Sequence, residues 1–326
     1  MKAPRMNTTP TAILRTPVKS GAALRFVSIG ECMVEMAPLE AANEFRMGFA
    51  GDTFNTAWYT RALRPDWKTC YVSRVGTDDG SRAMLEFIKK SGIDTSHIGR
   101  DAQRTVGLYL ISLRDGERSF SYWRDHSAAR LLAQDATLLE AATQDADLIF
   151  FSGITLAILD PVGRETLLQV AAAARARGKT IAFDSNLRPR LWANGDDMCH
   201  WITRAATVSD ITLPSFEDET TWFADANPEA TRDRYLNSGA TTVIVKNGAG
   251  TVLYQSHGER GQVTPAAVGT VVDTTSAGDS FNAGFLTCID QNKSLPDMIR
   301  TGAKVAGQVI GRKGALVPLD GPCQRL

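Results

Sequence analysis

The run Asp273-Thr274-Thr275-Ser276-Ala277-Gly278-Asp279 sets small residues and a carboxylate in front of an apolar segment where Phe281, Phe285 and Ile289 recur at helical spacing. Small side chains let successive backbone N–H groups crowd one point, and a helix N-terminus aims its positive end at the same point. That combination suits an anion such as phosphate. Asp279 is then either an N-cap, which aspartate does well, or a base that takes a proton beside the anion. A cap needs neither Ala277-Gly278 before it nor Ala283-Gly284 one turn later, so the small residues favour the anion site.

Other phosphate-like strings are weaker. Gly178-Lys179-Thr180 carries Ala173 where a Walker loop needs its first glycine, and a strand follows it, so Gly178 reads as a helix C-cap. Asn247-Gly248-Ala249-Gly250 lacks a third glycine, and a hairpin-like turn is its plain alternative. Asp184 and Asn186 end an apolar run, where polar residues also serve ordinary turns. His97, His126, His200 and His257 show no metal-ligand spacing, and no Ser/His/Asp or Cys/His set suggests hydrolysis.

These residues must be held by a scaffold. Short β-branched or aromatic runs at 24–30, 69–76, 147–153, 180–186, 210–214, 241–246 and 251–256 alternate with helical patterns at 53–64, 79–92, 161–177, 229–238, 280–291 and 297–312. Such alternation predicts an α/β fold, a doubly wound and mostly parallel sheet flanked by helices. Segments 31–46 and 106–125 read instead as strands without helices, the second a hairpin turning at Asp115-Gly116. They predict a small β-sheet lid on a single main domain spanning 24–320.

The 326 residues balance 36 Lys+Arg against 36 Asp+Glu, which gives no field for nucleic acid or an anionic membrane and favours a small-molecule partner. No apolar run approaches the roughly 18–20 residues of a membrane span. Five cysteines without CxxC spacing fit reduced thiols and a cytoplasmic setting. Residues 1–23 are basic, free of acids and without a continuous apolar core, so a disordered extension is expected; the composition also fits an organellar transit peptide.

The two glycine-rich motifs resemble the signatures of the ribokinase-like (PfkB) carbohydrate kinases. Asp273, Thr274, Thr275, Ala277, Gly278, Asp279, Phe281, Ala283 and Gly284 match the family's DTxGAGDxFxAG pattern, and GFAGDTFNTAWY at 48–59 resembles its first signature. Within the family, GECMVEM (30–36), ERSFSYWRDHSAA (117–129) and FDSNLRPRLW (183–192) are most similar to 2-keto-3-deoxygluconate kinases.

The resemblance implies ATP and Mg²⁺, with a monovalent cation as a further option, and phosphorylation of the C6 hydroxyl of 2-keto-3-deoxygluconate. It implies Asp279 as base, with Ala277 and Gly278 in the anion loop. Gly51, Asp52 and Asn55 would meet the sugar, and Tyr109, Tyr122, Arg124 and Arg188 the sugar acid. Asp184, Asn186, Ser215, Lys246, Gly248, Gly250 and Gly278 would meet the nucleotide, and Asp218 the metal through water. A guanidinium is well suited to the carboxylate that separates such a substrate from ribose or fructose; a solvated strand arginine is the alternative for Arg124.

Two departures stand out. Ser276 replaces a glycine, which requires a negative φ if serine is to fit easily. Ser215-Phe216-Glu217-Asp218 replaces the family's NxxE motif at the metal. A neutral-sugar kinase and a catalytically silent sugar-binding regulator are the rival readings, and a homo-oligomer formed through the lid is a further expectation.

Overall fold

A computed structural model describes residues 13–17, 21–41, 43–114 and 117–320. Its strands are β1 (Arg25–Ile29), β2 (Met33–Pro38), β3 (Phe45–Ala50), β4 (Lys68–Val75), β5 (Ile98–Arg100), β6 (Leu108–Arg114), β7 (Glu117–Trp123), β8 (Leu148–Ser152), β9 (Thr180–Asp184), β10 (Ile211–Thr212), β11 (Thr242–Val245), β12 (Val252–Ser256) and β13 (Glu259–Val263). Its helices are α1 (Asp52–Leu63), α2 (Asp79–Lys90), α3 (Ala136–Gln144), α4 (Gly153–Ile158), α5 (Pro161–Ala176), α6 (Gly195–Thr207), α7 (Phe216–Trp222), α8 (Pro228–Asn237), α9 (Ala277–Leu286) and α10 (Leu295–Ile310).

Nine strands form the main sheet in the order β13-β12-β11-β10-β9-β8-β1-β4-β5. Pairing is parallel from β5 to β11 and antiparallel across β11, β12 and β13. Every residue of β8 and β9 is buried, because helices cover both faces, and this is why those strands read as continuous apolar runs. Helix starts carry their own signals. Asp78, Asp160, Asn194, Asn227 and Ser294 each accept a first-turn N–H through the side chain. Gly178 sits at φ 85 just past α5, the left-handed cap read from the sequence.

The lid is a separate four-stranded sheet, ordered β3-β2-β6-β7. It extends past residue 46 to Ala50, because β3 pairs with the whole of β2. The turn expected at Asp115-Gly116 lies outside the described residues, as do residues 1–12 and Cys323.

Three further differences from the sequence reading have physical causes. Residues 13–16 are not a free tail: Ile13 and Leu14 are buried, the Arg15 N–H donates to Thr180 Oγ1 at 2.9 Å, and its guanidinium meets Asp210 at 2.8 Å. Helices α3, α4, α6 and α7 lie outside the helical patterns expected from the sequence. The opening Asn194-Gly195-Asp196 of α6 resembles a turn, yet Asn194 is its N-cap and Met198, Trp201, Ile202 and Ala205 its buried face. Helix α9 begins at Ala277, three residues ahead of the expected start. Among the described residues, no helix is long and apolar enough to cross a membrane.

Candidate active site

A cavity of about 1060 Å³ lies between the lid and the carboxyl ends of the parallel strands, where ligands bind in open α/β sheets. It is large enough for a sugar acid and part of a nucleotide together. The lid contributes Tyr109, Tyr122 and Arg124, the start of α1 contributes Gly51, Asp52 and Asn55, and the strand ends contribute Asp184, Asn186 and Lys246. Arg188, Ser215, Asp218, Ala277, Gly278 and Asp279 line the cavity as well. Gly248 and Gly250 are not among the lining residues. They lie in the turn joining β11 to β12, closed by Gly250 N–H to Asn247 O at 2.7 Å, the hairpin alternative read from the sequence.

Asp279 is not the cap of α9. Ser276 occupies the N-cap position without a side-chain cap bond, and Asp279 is the third helical residue, where its charge still favours the positive end of the helix. Ser276 takes φ 65, the left-handed region, so the expected negative φ is corrected: the chain keeps a glycine-like conformation with a serine in it. The Ala277 N–H donates to Thr274 O at 3.1 Å and closes the turn. That bond removes Ala277 from the donors expected to face an anion. The N–H groups of Gly278 and Asp279 have no acceptor among the described residues and are the donors left for it.

Helix α1 packs against α9 and fixes the carboxylate. Asn55 Nδ2 donates to Asp279 Oδ2 at 2.8 Å, while Asn55 Oδ1 accepts from Gly51 N–H at 3.2 Å. Gly51 is required by close approach, because a Cβ there would lie 2.1 Å from Glu31 O. Burial pushes the Asp279 carboxyl up to about 7, helped by the nearby charges of Asp52 and Asp184 and opposed by the Asn55 amide. Asp52 is raised as well, chiefly by burial, although Asn186 Nδ2 donates to its Oδ2 at 2.8 Å. Crowded carboxylates of this kind mark a site that uses protons or cations.

Lys246 reaches over the anion loop from the end of β11. Its Nζ donates to Asp184 Oδ2 at 3.1 Å and Asn282 Oδ1 at 3.2 Å, and Asn282 Nδ2 donates to the same Asp184 oxygen at 2.6 Å. A Cβ at Gly278 would stand 3.7 Å from Lys246 Nζ, so the ammonium borders the loop. Asn282 was missed in the sequence, although its place three residues after Asp279 puts it on nearly the same helix face.

The lid side differs from the simplest expectation. Arg124 is only 6% exposed and its Nη2 pairs with Glu31 Oε2, so it is neither a solvated strand residue nor an uncommitted guanidinium. Tyr109 is buried and donates to Glu35, and burial beside that carboxylate pushes its phenol well above the usual range. Tyr122, 53% exposed, faces the open cleft, with its ring 5.9 Å from that of Tyr109. Arg188 is exposed in the cleft, and its charge draws the Asp218 carboxyl down against a larger upward push from burial. Glu31, Arg190 and Glu217 also line the cavity, in addition to the residues expected from the sequence.

Residues 23–321 match the pfkB family carbohydrate kinases. A 2-dehydro-3-deoxygluconokinase of Haemophilus influenzae is 39% identical over 296 residues, covering 89% of this chain and 94% of the relative. The enzyme of that name from Escherichia coli K12 is 37% identical over 301 residues, 90% of this chain and 96% of the relative. The crystal structure of a Xylella fastidiosa fructokinase with bound ATP superposes with a TM-score of 0.78 at 25% identity, covering 89% of this chain and 93% of the other. With both signatures folded into one cleft and the family match running almost end to end, the chain belongs to the pfkB family of carbohydrate kinases.

Proposed function

We propose that the protein transfers the γ-phosphoryl group of ATP to the C6 hydroxyl of 2-keto-3-deoxygluconate, which is 2-dehydro-3-deoxygluconate. The observation that carries this reading is the meeting of Asp279 with the open N–H groups of Gly278 and Asp279 in a cleft that also holds Arg124 and Arg188. The names of the relatives at 37–39% identity support the same substrate. The neutral-sugar and silent-regulator alternatives have no observation in their favour.

In this mechanism Asp279 Oδ1 or Oδ2 takes the C6 hydroxyl proton as that oxygen attacks phosphorus, and Asn55 holds the carboxylate in line. The Gly278 and Asp279 N–H groups and the α9 dipole stabilise charge on the transferring group. Lys246, held by Asp184 and Asn282, meets phosphate oxygens, with Asn186 and Ser215 beside it. Gly248 and Gly250 contribute only where the nucleotide extends beyond the cavity.

Mg²⁺ fits the cleft, because Asp184, Glu217 and Asp218 offer hard oxygen donors on one side of it. When bound, it would offset the negative charge of the phosphates. Asp218 would hold it through water, in the position of the altered NxxE motif. A monovalent cation would depend on backbone carbonyls, since both Asp273 oxygens already accept N–H groups, from Thr275 at 3.0 Å and Gly314 at 2.6 Å.

Tyr122 and Arg124 cover the sugar from the lid, with the domain spanning 24–320. Phe45, Met47 and Trp123 are 38%, 55% and 60% exposed. Their strand partners Pro38, Met36 and Leu108 place them on the lid face away from Tyr109, a surface suited to a second copy of the chain. Cys32, Cys70, Cys199 and Cys288 are free thiols, in keeping with a cytoplasmic protein.

ADP release measured over a panel of sugars and sugar acids tests the assignment. We expect 2-keto-3-deoxygluconate to give the highest kcat/KM, with ribose and fructose at least ~10-fold lower for want of the carboxylate contact. A neutral sugar turning over fastest would reject the substrate, and no ADP with any of them would reject the kinase.

A further inference from the structure

A second cavity, of about 330 Å³, opens near the amino ends of β1 and β4, the opposite end of the sheet from Asp184. Cys70 and Asp94 are held side by side there by a parallel bridge, with Asp94 N–H donating to Thr69 O at 2.9 Å and Tyr71 N–H to Asp94 O at 3.0 Å. His97, just ahead of β5, turns its Nδ1 to within 3.5 Å of Cys70 Sγ and 3.0 Å of Ser96 Oγ. One ligand atom from each of Cys70, Asp94 and His97 can be chosen so that all lie within 4.8 Å of one another. Sequence spacing conceals the group, since Cys70 is far along the chain from the other two.

Thiolate, imidazole and carboxylate are the donors a zinc-type ion selects. A tetrahedral ion with Zn–S of about 2.3 Å and Zn–N of about 2.0 Å places its sulfur and nitrogen ligands roughly 3.5 Å apart, and the Cys70–His97 pair already has that separation. The other separations, none above 4.8 Å, need at most roughly 1 Å of closure by the ligand distances of such an ion, through the exposed Asp94 side chain, whose oxygens accept from Ser96 N–H and Oγ at 2.9 Å and would exchange one of those bonds for the ion. Cys70, Asp94 and His97 all line this cavity, so the three donor groups open onto one space.

We propose that Cys70 Sγ, His97 Nδ1 and one Asp94 carboxylate oxygen form a binding site for Zn²⁺ or a similar transition-metal ion, separate from the catalytic cleft. On coordination Cys70 releases its thiol proton to solvent, and thiolate with carboxylate neutralises the ion. The fourth position faces the cavity and takes water or a small anion, which Arg25, Arg61 and Lys68 around the same cavity favour electrostatically. The ion ties β4 to the edge strand β5 and to the loop before it.

Titration of the full-length, reduced protein with Co²⁺, without nucleotide, tests this. The expected result is one Co²⁺ per chain with a thiolate-to-cobalt charge-transfer band that Zn²⁺ removes. Cys70→Ser should abolish the band, and His97→Ala should weaken binding by at least ~100-fold, beyond the ~10–100-fold typical of outer-shell partners. Cys32→Ser and Asp279→Asn should leave both unchanged. Asp94→Asn, altering an exposed side chain, keeps the test available if the buried Cys70 variant does not fold. Absence of the band, its persistence in Cys70→Ser, or indifference to both His97→Ala and Asp94→Asn would overturn the site.

Discussion

Asp279→Asn is expected to lower kcat by roughly 10²-fold or more while ATP still binds, since loss of a positioned base costs about 10²–10⁴. The substitution keeps the shape of the side chain and leaves a group able to hydrogen bond with Asn55, so the cleft should remain intact. The pH profile supplies a second readout. The carboxyl is pushed up to about 7 in the free protein, chiefly by burial, so the base is lost as pH falls through that value. kcat/KM should therefore climb on a limb centred near pH 7 and level off above it, and the limb should be missing in the variant. Stability runs the other way. A carboxyl raised from 3.8 to about 7 costs folding free energy above pH 7, and the cost fades as pH falls toward the unfolded value. Asp279→Asn should consequently melt higher than the parent at pH 8, with the gap narrowing toward pH 4. Near-normal kcat in the variant would leave Asp279 a structural residue.

Arg124→Ala should damage use of the sugar acid selectively, by roughly 10- to 150-fold in kcat/KM, the equivalent of about 1.5–3 kcal/mol for a charge-assisted contact. The structure sharpens the reason. Removing the guanidinium not only deletes a donor but leaves Glu31 unpaired beside the sugar, where it repels an anionic substrate. A neutral hexose has no charge to feel either change. Because an orphaned buried carboxylate also weakens the fold, Arg188→Ala is the companion test: that side chain is exposed in the cleft and its removal disturbs little packing. Selective loss on the acid in both variants supports the two-arginine reading. A parallel loss on acid and neutral sugar would make these residues general supports of the cleft.

The parts legible in the sequence were those whose environment is local or uniform. Strands β8 and β9 show as apolar runs because both faces are covered, and the anion loop shows because small residues must precede α9. What escaped depends on partners far along the chain. Nothing next to Glu31 announces that it will meet Arg124, nor does the string around Asn282 announce Asp184 and Lys246. Ser276 escaped for a different reason. A left-handed φ at serine contradicts its intrinsic preference, and the surrounding loop imposes it. The pairing of Arg124 with Glu31 was likewise not legible, since burial of a charge demands a counterion that spacing does not reveal.

The most direct measurement places equimolar 2-keto-3-deoxygluconate and fructose before the protein with limiting MgATP and locates the phosphate in the products by phosphorus–carbon NMR. 2-Keto-3-deoxygluconate carrying phosphate on C6 is the expected dominant product. Phosphate mainly on fructose, or on any carbon of the sugar acid other than C6, would contradict it.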